Sequence, residues 1–363
     1  MPETSPASIR APRRRLIRLV LRLLGRLVGL FAARMRIVGR EKSPRQGPLI
    51  VIANHVDEID GFILSLYLPF VGETMVAADL PMPWLARVIF TLYGFIPVMR
   101  GMSGGDSTKL ALSVLEQKGV VILFPEGGIW RTANKPVHTG VAWLSQKSQA
   151  AVLPIGLMGT RKALPNMLRL KRPKIEMHIG ALIPPPLAPD APYNKAALQA
   201  AANAMMAAAE ALIPQQEHQQ VIAFDTMTLD FRTQVQDAQG RILTPESTLT
   251  SVQAQALGKL YYDLSILETL WKGNKIPIQV LLQPHTPQPA AAVAEAIDRV
   301  FAYLETEYES FFSYRFGKAD DEAMRQGFRV IQQQAQTLGA VSMTLIPSAV
   351  AQDAEQEKVL ERL

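Results

Sequence analysis

The sequence predicts an α/β protein: a sheet flanked by helices, with an N-terminal amphipathic helix before it and a C-terminal α+β accessory domain after it. Three observations carry this. Between residues 37 and 214, short strand-like runs alternate with helical stretches, the pattern of a sheet covered by helices. Residues 13–36 carry arginines at helical spacing on an apolar background. After Pro214 the composition turns glutamine-rich, and the remainder of the chain mixes a hairpin pattern with long helices. The 363 residues therefore divide into 1–36, 37–214 and 215–363, a division in keeping with the chain length.

The first segment opens with a Pro/Ser-rich tip, residues 1–12, expected to be disordered. At about 100° per residue, Arg15, Arg18, Arg22 and Arg26 then fall within an arc of roughly 80°. Leu16, Leu19, Leu23, Leu24, Leu27 and Phe31 lie elsewhere on the wheel. The longest charge-free run here, Leu27–Ala33, is far short of the ~20 apolar residues a spanning helix needs. The expectation is a helix lying in a membrane interface, its arginines at anionic headgroups. A transit peptide or a plain core helix is the alternative; a secretory signal fits poorly, because arginines interrupt the apolar region.

In residues 37–214 the strand-like runs are Leu49–Ala53, Met75–Ala78, Val120–Phe124, Val152–Leu157 and Ile175–Ile179. Helical stretches occupy Asp60–Leu68, Pro83–Tyr93, Asp106–Lys118, Gly140–Lys147 and Asn194–Ile213. Beyond the Gln215–Gln220 linker, Leu229–Val235 and Arg241–Thr244 flank a turn at Asp237–Gly240, which reads as a hairpin. Helices are expected near Val252–Leu270, Ala290–Phe312 and Asp320–Leu338, and strands at Ile276–Leu282 and Val341–Ile346. No chemical motif stands out in this last part.

Composition narrows the chemistry. With 48% hydrophobic and 19% charged residues, the chain can bury a sizeable core. It has no cysteine, which excludes disulfides, thiolate metal sites and a cysteine nucleophile. Its five histidines are scattered, and a multi-histidine metal site is not expected. Residues 1–214 hold 26 Lys/Arg against 13 Asp/Glu, and residues 215–363 hold 12 against 19. A basic front part suits an anionic surface. A nucleic-acid partner is not expected, since no aromatic interleaving or known module accompanies the charge.

Four segments carry candidate chemistry. Leu49–Ala53 runs straight into Asn54-His55-Val56-Asp57-Glu58-Ile59-Asp60. A histidine and an aspartate five apart at a strand-to-helix transition can fold onto each other, the carboxylate accepting the Nδ1 proton and leaving Nε2 as a base. A structural histidine beside a helix N-cap aspartate is the plainer reading. Gly94–Arg100 ends an apolar run on a guanidinium suited to a bidentate phosphate contact. Val121–Phe124 leads into Pro125-Glu126-Gly127-Gly128, where paired glycines let backbone approach a ligand closely. Ala151–Gly156 reads as a buried strand beside them.

In this order and spacing the four segments resemble the glycerolipid acyltransferase family, which includes the 1-acylglycerol-3-phosphate acyltransferases. The family's NHxxxxD block matches Asn54, His55 and Asp60; its Gly-to-Arg block matches Gly94 and Arg100. Its FPEG block matches Phe124 to Gly127, and its apolar-Pro block matches Leu153 and Pro154. The resemblance spans about residues 37–185. It implies direct transfer of a fatty acyl group from acyl-CoA or acyl carrier protein to the hydroxyl of a lysophosphatidate-like acceptor, in phospholipid biosynthesis. No cofactor or metal is implied, only these substrates. His55 would be the general base and Asp60 its orienting partner. Arg100 would bind the acceptor phosphate, Glu126 the acceptor's polar head, and Gly127 and Gly128 the same substrate region. The expected setting is peripheral, at the cytoplasmic face of a membrane. The chain departs from the family after FPEG, with Gly128 and Ile129 in place of Thr-Arg; the next arginine, Arg131, two positions late, is the candidate for that arginine's substrate contact. Asp57 and Glu58 also add negative charge beside the base. Both differences leave open a different, even phosphate-free, acceptor head.

Two rival readings stand beside this one. Gly101-Met102-Ser103-Gly104-Gly105 matches GxSxG between a strand-like run and a helix, the setting of a serine hydrolase nucleophile with His138 or His178 as base. A lipid-binding or scaffold protein could share the fold without activity; the presence of both His55 and Asp60 argues against that. A second basic cluster (Arg161, Lys162, Arg169, Lys171, Arg172 and Lys174) could meet coenzyme A phosphates, an acidic carrier protein or lipid, or be a solvated loop.

Overall fold

The structure is a computed structural model, and it describes residues 10–12, 14–78, 84–99, 105–129, 136–214, 227–274, 276–305 and 311–351. Arg100, Ser103 and Arg131, most of the N-terminal tip and the glutamine-rich linker lie outside the described residues.

The first part runs α1 (Arg15–Ala32), β1 (Arg34–Val38), β2 (Leu49–Ala53), α2 (Asp60–Tyr67), β3 (Glu73–Ala77), α3 (Trp84–Tyr93) and β4 (Ile96–Val98). It continues α4 (Gly105–Glu116), β5 (Val120–Leu123), α5 (Gly140–Ser148), β6 (Ala151–Met158), α6 (Ala163–Leu168), β7 (Lys174–Ile179) and α7 (Lys195–Glu210). The seven strands form one sheet in the order β1-β7-β6-β2-β5-β3-β4. Every pairing is parallel except β6 with β7. The α/β class expected from the alternation is the one observed. Edge strand β1 was not foreseen, because Arg34-Met35-Arg36-Ile37-Val38 reads as the continuation of an arginine-striped helix.

Strand β2 shows why the sheet is two-sided. All five of its residues are buried. Ile50 and Ile52 pack with Leu110, Val114, Val141 and Leu198 of α4, α5 and α7. Leu49, Val51 and Ala53 face the opposite way, with Ile63 and Leu64 of α2. A period of two, apolar on both faces, is what a central parallel strand requires. Because β2 and β5 are parallel neighbours, the loops that leave them emerge side by side at the C-terminal edge of the sheet, where open α/β sheets bind ligands.

Helix α1 corrects the expected direction of the arginine stripe. Arg18 is 0% exposed and Arg22 5%, while Leu16, Leu23, Leu30 and Phe31 are 65–75% exposed. Arg18, Arg22 and Arg26 face the protein, Arg15 is exposed, and the leucines face outward. Arg18 forks onto Glu73 through two 2.7 Å bonds and donates to the Tyr93 carbonyl at 2.7 Å. Arg22 donates to the carbonyls of Phe70, at 2.6 Å, and Leu68. Arg26 donates to Leu66 and Leu68 at 2.6 and 3.3 Å. The carbonyl acceptors sit at or just beyond the C-terminal ends of α2 and α3, where carbonyls lack helical partners and the dipole is negative. Burial holds the Arg22 pKa below its ordinary value, with Arg26 pushing the same way and the Tyr93 hydroxyl opposing. Gly29 lets α1 lie close to α2: a Cβ there would collide with the Tyr67 hydroxyl. Among the described residues no helix is long and apolar enough to cross a membrane.

Residues 227–351 pack round a separate core. β8 (Met227–Gln236) and β9 (Ile242–Leu243) form the expected hairpin, pairing Val235 with Leu243. α8 (Ser251–Tyr262), α9 (Ser265–Asn274), β10 (Gln288–Pro289), α10 (Ala290–Leu304), α11 (Phe311–Phe316), α12 (Lys318–Ala335) and β11 (Ser342–Ala351) complete it. The sheet order is β10-β11-β8-β9. Phe231, Leu257, Leu260, Ile297, Val300, Phe328, Ile331 and Leu345 form its buried centre. The strand expected at Ile276–Leu282 is instead a short 3-10 turn at Gln279–Leu282. Ile278 and Leu281, three apart, are both fully buried, which suits a turn and defeats the two-residue period of a strand. The helix expected over Val252–Leu270 is broken at Asp263.

Candidate active site

The loop from β2 to α2 folds tightly on its own aspartate. Asp60 is the first residue of α2, with Ile59 at the cap position, so it is not the N-cap of the plainer reading. Its Oδ2 accepts the Val56 N–H at 2.6 Å and the Asp57 N–H at 2.8 Å, and meets His55 Nδ1 at 2.9 Å. Asp60 is 0% exposed and the His55 side chain 18%. A buried carboxylate on Nδ1 fixes the tautomer with Nε2 unprotonated. Among the described residues nothing hydrogen-bonds Nε2, which leaves it able to take a proton.

Three neighbours hold the imidazole in place. Phe124, just after β5, stacks on the ring with centroids 4.1 Å apart and planes 16° apart. Glu126 is 0% exposed, and its Oε1 accepts the His55 N–H at 3.3 Å. Asn54 clips the loop to β6, donating to the Leu157 carbonyl at 3.0 Å and accepting the Leu157 N–H at 2.7 Å. The FPEG and NHxxxxD blocks are thus one structure, joined through Glu126 and Phe124. Buried as it is, the Glu126 carboxylate braces the His55 loop through that bond.

The extra acids beside the base are partly absorbed by the backbone. Asp57 accepts the Lys162 N–H at 2.9 Å and the Ile59 N–H at 3.4 Å. Burial raises its pKa, opposed by those two amides. Gly127 sits at φ +67°, the left-handed region that favours glycine, and its N–H closes a turn on the Phe124 carbonyl at 3.0 Å. Arg100 and Arg131 fall outside the described residues, as does Ser103. Of the bases considered for Ser103, His178 is bound to Glu176 at 2.9 Å. His138 Nε2 lies 3.1 Å from the Tyr314 hydroxyl, and among the described residues no carboxylate orients it.

Similarity to known proteins bears on this site directly. Residues 34–158 match the family model described as Acyltransferase, a span that runs from β1 through β6 and contains His55, Asp60, Glu126 and Gly127. That match covers about a third of the chain, the part that holds the four blocks, agrees with the family they resemble, and supports acyl transfer in general. A solved structure titled 1-acyl-sn-glycerophosphate (LPA) acyltransferase, PlsC, from Thermotoga maritima is similar over 56% of this chain and 83% of that one. Its identity is 17% and its TM-score 0.37.

Sequence reading missed what reaches the Glu126–Ile129 segment from the far end of the chain. The Tyr314 hydroxyl donates to the Gly127 carbonyl at 3.2 Å, and Arg315 donates to the Ile129 carbonyl at 2.6 Å. These residues lie almost two hundred positions away on α11. No local pattern signals such a contact.

Proposed function

We propose that this protein transfers a fatty acyl group from acyl-CoA or acyl carrier protein to the free hydroxyl of a lysophosphatidate-like acceptor, a step of phospholipid biosynthesis. The observation that carries the reading is the 2.9 Å contact between His55 Nδ1 and the buried Asp60. His55 Nε2 takes the acceptor hydroxyl proton as the oxygen attacks the thioester carbonyl. The imidazolium is stabilised by Asp60. Collapse of the tetrahedral intermediate expels the thiolate, which recovers the proton from His55. The acyl group has moved from sulfur to oxygen, and no acyl-enzyme forms. Arg100 serves the acceptor phosphate in this scheme, while Gly128 and Ile129 in place of Thr-Arg keep a head group without phosphate as the second choice.

The same proposal places the protein peripherally on a membrane, at the cytoplasmic face where these acyl donors are found. What supports it is the outward face of α1, where Leu16, Leu19, Leu23, Leu27, Leu30 and Phe31 are all exposed. The cluster Arg161, Lys162, Arg169, Lys171, Arg172 and Lys174 is exposed as well, and Arg172 donates to the Leu30 carbonyl at 3.2 Å. Apolar insertion by α1, with cations beside it, suits an anionic bilayer.

The test is transfer of a radiolabelled acyl group from acyl-CoA, and separately from acyl carrier protein, to a panel of lysolipids. His55→Ala should lose about 10²–10⁴-fold in rate while keeping its melting temperature. A fully active His55→Ala protein, or one that hydrolyses thioesters but acylates no acceptor in the panel, would overturn the reading.

A further inference from the structure

We infer that the C-terminal unit is a working part of the active site, with Tyr314 and Arg315 as positioning residues that hold Gly127–Ile129, and through it Glu126, against the His55 loop. The inference rests on the acyl-transfer reading of His55.

The contacts converge on one short segment. Tyr314 Oη lies 3.2 Å from the Gly127 carbonyl and 3.1 Å from His138 Nε2. The His138 and Tyr314 rings stack, 6.0 Å between centroids and 13° between planes. The His138 N–H in turn donates to the Pro125 carbonyl at 2.9 Å. Two rings therefore bracket Pro125, Glu126 and Gly127. The hydrogen bonds have one consistent direction: the hydroxyl has a single proton to donate to the Gly127 carbonyl, so it accepts from His138 Nε2–H. Neutral His138 in that tautomer fits a ring whose burial lowers its pKa.

Arg315 fixes the far end of the segment. It donates to the Ile129 carbonyl at 2.6 Å, and its other nitrogens reach Asp263 Oδ2 at 2.7 and 3.1 Å. Asp263 is 0% exposed and sits in the break between α8 and α9. A guanidinium held by a buried carboxylate points in a fixed direction, so the carbonyl it grips is fixed as well. Space is equally committed at Gly127, where a Cβ would collide with the Tyr314 hydroxyl and come within 2.8 Å of His138.

The consequence is mechanical. Glu126 precedes this segment and accepts the His55 N–H. Release of Gly127 and Ile129 frees Glu126 to move, and the base then loses one of the groups that aim it. Misplacement of a catalytic group by about 1 Å can lower a rate by as much as ~10²-fold. The family match ends at residue 158, so this support comes from a part of the chain that the match does not include.

The experiment uses the full-length protein with Tyr314→Phe, which keeps the ring and removes the hydroxyl, and Arg315→Lys, which keeps the charge facing Asp263. Three quantities are read: kcat and donor KM for acyl transfer, amide hydrogen exchange over residues 126–129, and the His138 titration by NMR. Tyr314→Phe should lower kcat about tenfold, the scale of one or two lost hydrogen bonds, at unchanged donor KM. Exchange should speed up over 126–129 alone, and the His138 titration should shift. Arg315→Lys should show a smaller loss of the same kind. Wild-type kcat and wild-type exchange in both variants, with His55→Ala inactive, overturn the inference and leave the acyl-transfer reading standing. Activity lost only in step with a lower melting temperature, with exchange faster throughout the C-terminal unit, also overturns it. An active His55→Ala protein sinks the reading beneath; the exchange and His138 measurements then still decide whether the C-terminal unit clamps the segment.

Discussion

Two carboxylate-anchored pairs in this chain are built by opposite routes. His55 and Asp60 are five residues apart and meet at 2.9 Å across a single loop. Arg18 and Glu73 are 55 residues apart and meet through two 2.7 Å bonds between α1 and β3. The first pair leaves the histidine partly open, at 18% exposure. The second is sealed, at 0% and 1%. The open pair can exchange a proton with a ligand, whereas the sealed pair can only hold elements together. Polar residues at regular spacing are therefore ambiguous until it is known whether their partner is local. The short loop supplied its own partner; the helix stripe drew its partners from elsewhere in the fold.

The contrast can be broken most sharply at Asp60. Asp60→Asn retains an acceptor for the loop amides and removes the charge that stabilises the imidazolium. Its kcat should fall about 10²–10⁴-fold, with only a small drop in melting temperature. Equal losses of stability and rate would make this pair structural like the other.

Arg18→Ala should do the reverse. It strands a buried Glu73 carboxylate, and breaking a buried pair costs about 3–5 kcal/mol. Denaturant unfolding should show that loss, while the activity of the protein still folded stays close to wild type. If Arg18→Ala is as stable as wild type but no longer binds vesicles, the stripe faces lipid after all and the packing described for α1 is wrong.

The smallest effect tests the outward face of the same helix. Leu23→Ser and Leu27→Ser, combined, should leave the fold intact and weaken binding to anionic vesicles by about 1.5–3 kcal/mol for each side chain that inserts. Raising the salt concentration should weaken the remainder, if residues 161–174 supply the electrostatic part. Unchanged vesicle binding by the double variant would show that α1 is not what meets the bilayer.

Much of the site was legible in the amino-acid sequence. Asn54, His55 and Asp60 lie within seven residues, and strand β2 announces itself by five apolar residues in a row. The same is true of β5 and the FPEG turn at its end. What could not be read were the links between blocks: Glu126 to the His55 backbone, Asn54 to Leu157, and Tyr314 and Arg315 to the loop carbonyls. A hydrogen bond between distant residues leaves no periodicity, and the Phe311–Phe316 run looks like any short amphipathic helix. The broken helix at Asp263 has the same cause, since a buried carboxylate waiting for a distant guanidinium outweighs local helix preference.

The order of apolar runs and the five-residue spacing of His55 and Asp60 were enough to set these two side chains together where a strand of an α/β sheet gives way to a helix. Apolar period and short-range spacing are local properties, and local geometry enforces them. The direction in which α1 turns Arg18, Arg22 and Arg26 was settled by long-range packing, because both faces of that helix satisfy the same pattern. The choice went to the carbonyls at the ends of α2 and α3 and to the carboxylate of Glu73, since desolvated acceptors bind a guanidinium more strongly than water does. The leucines were left facing outward by that choice.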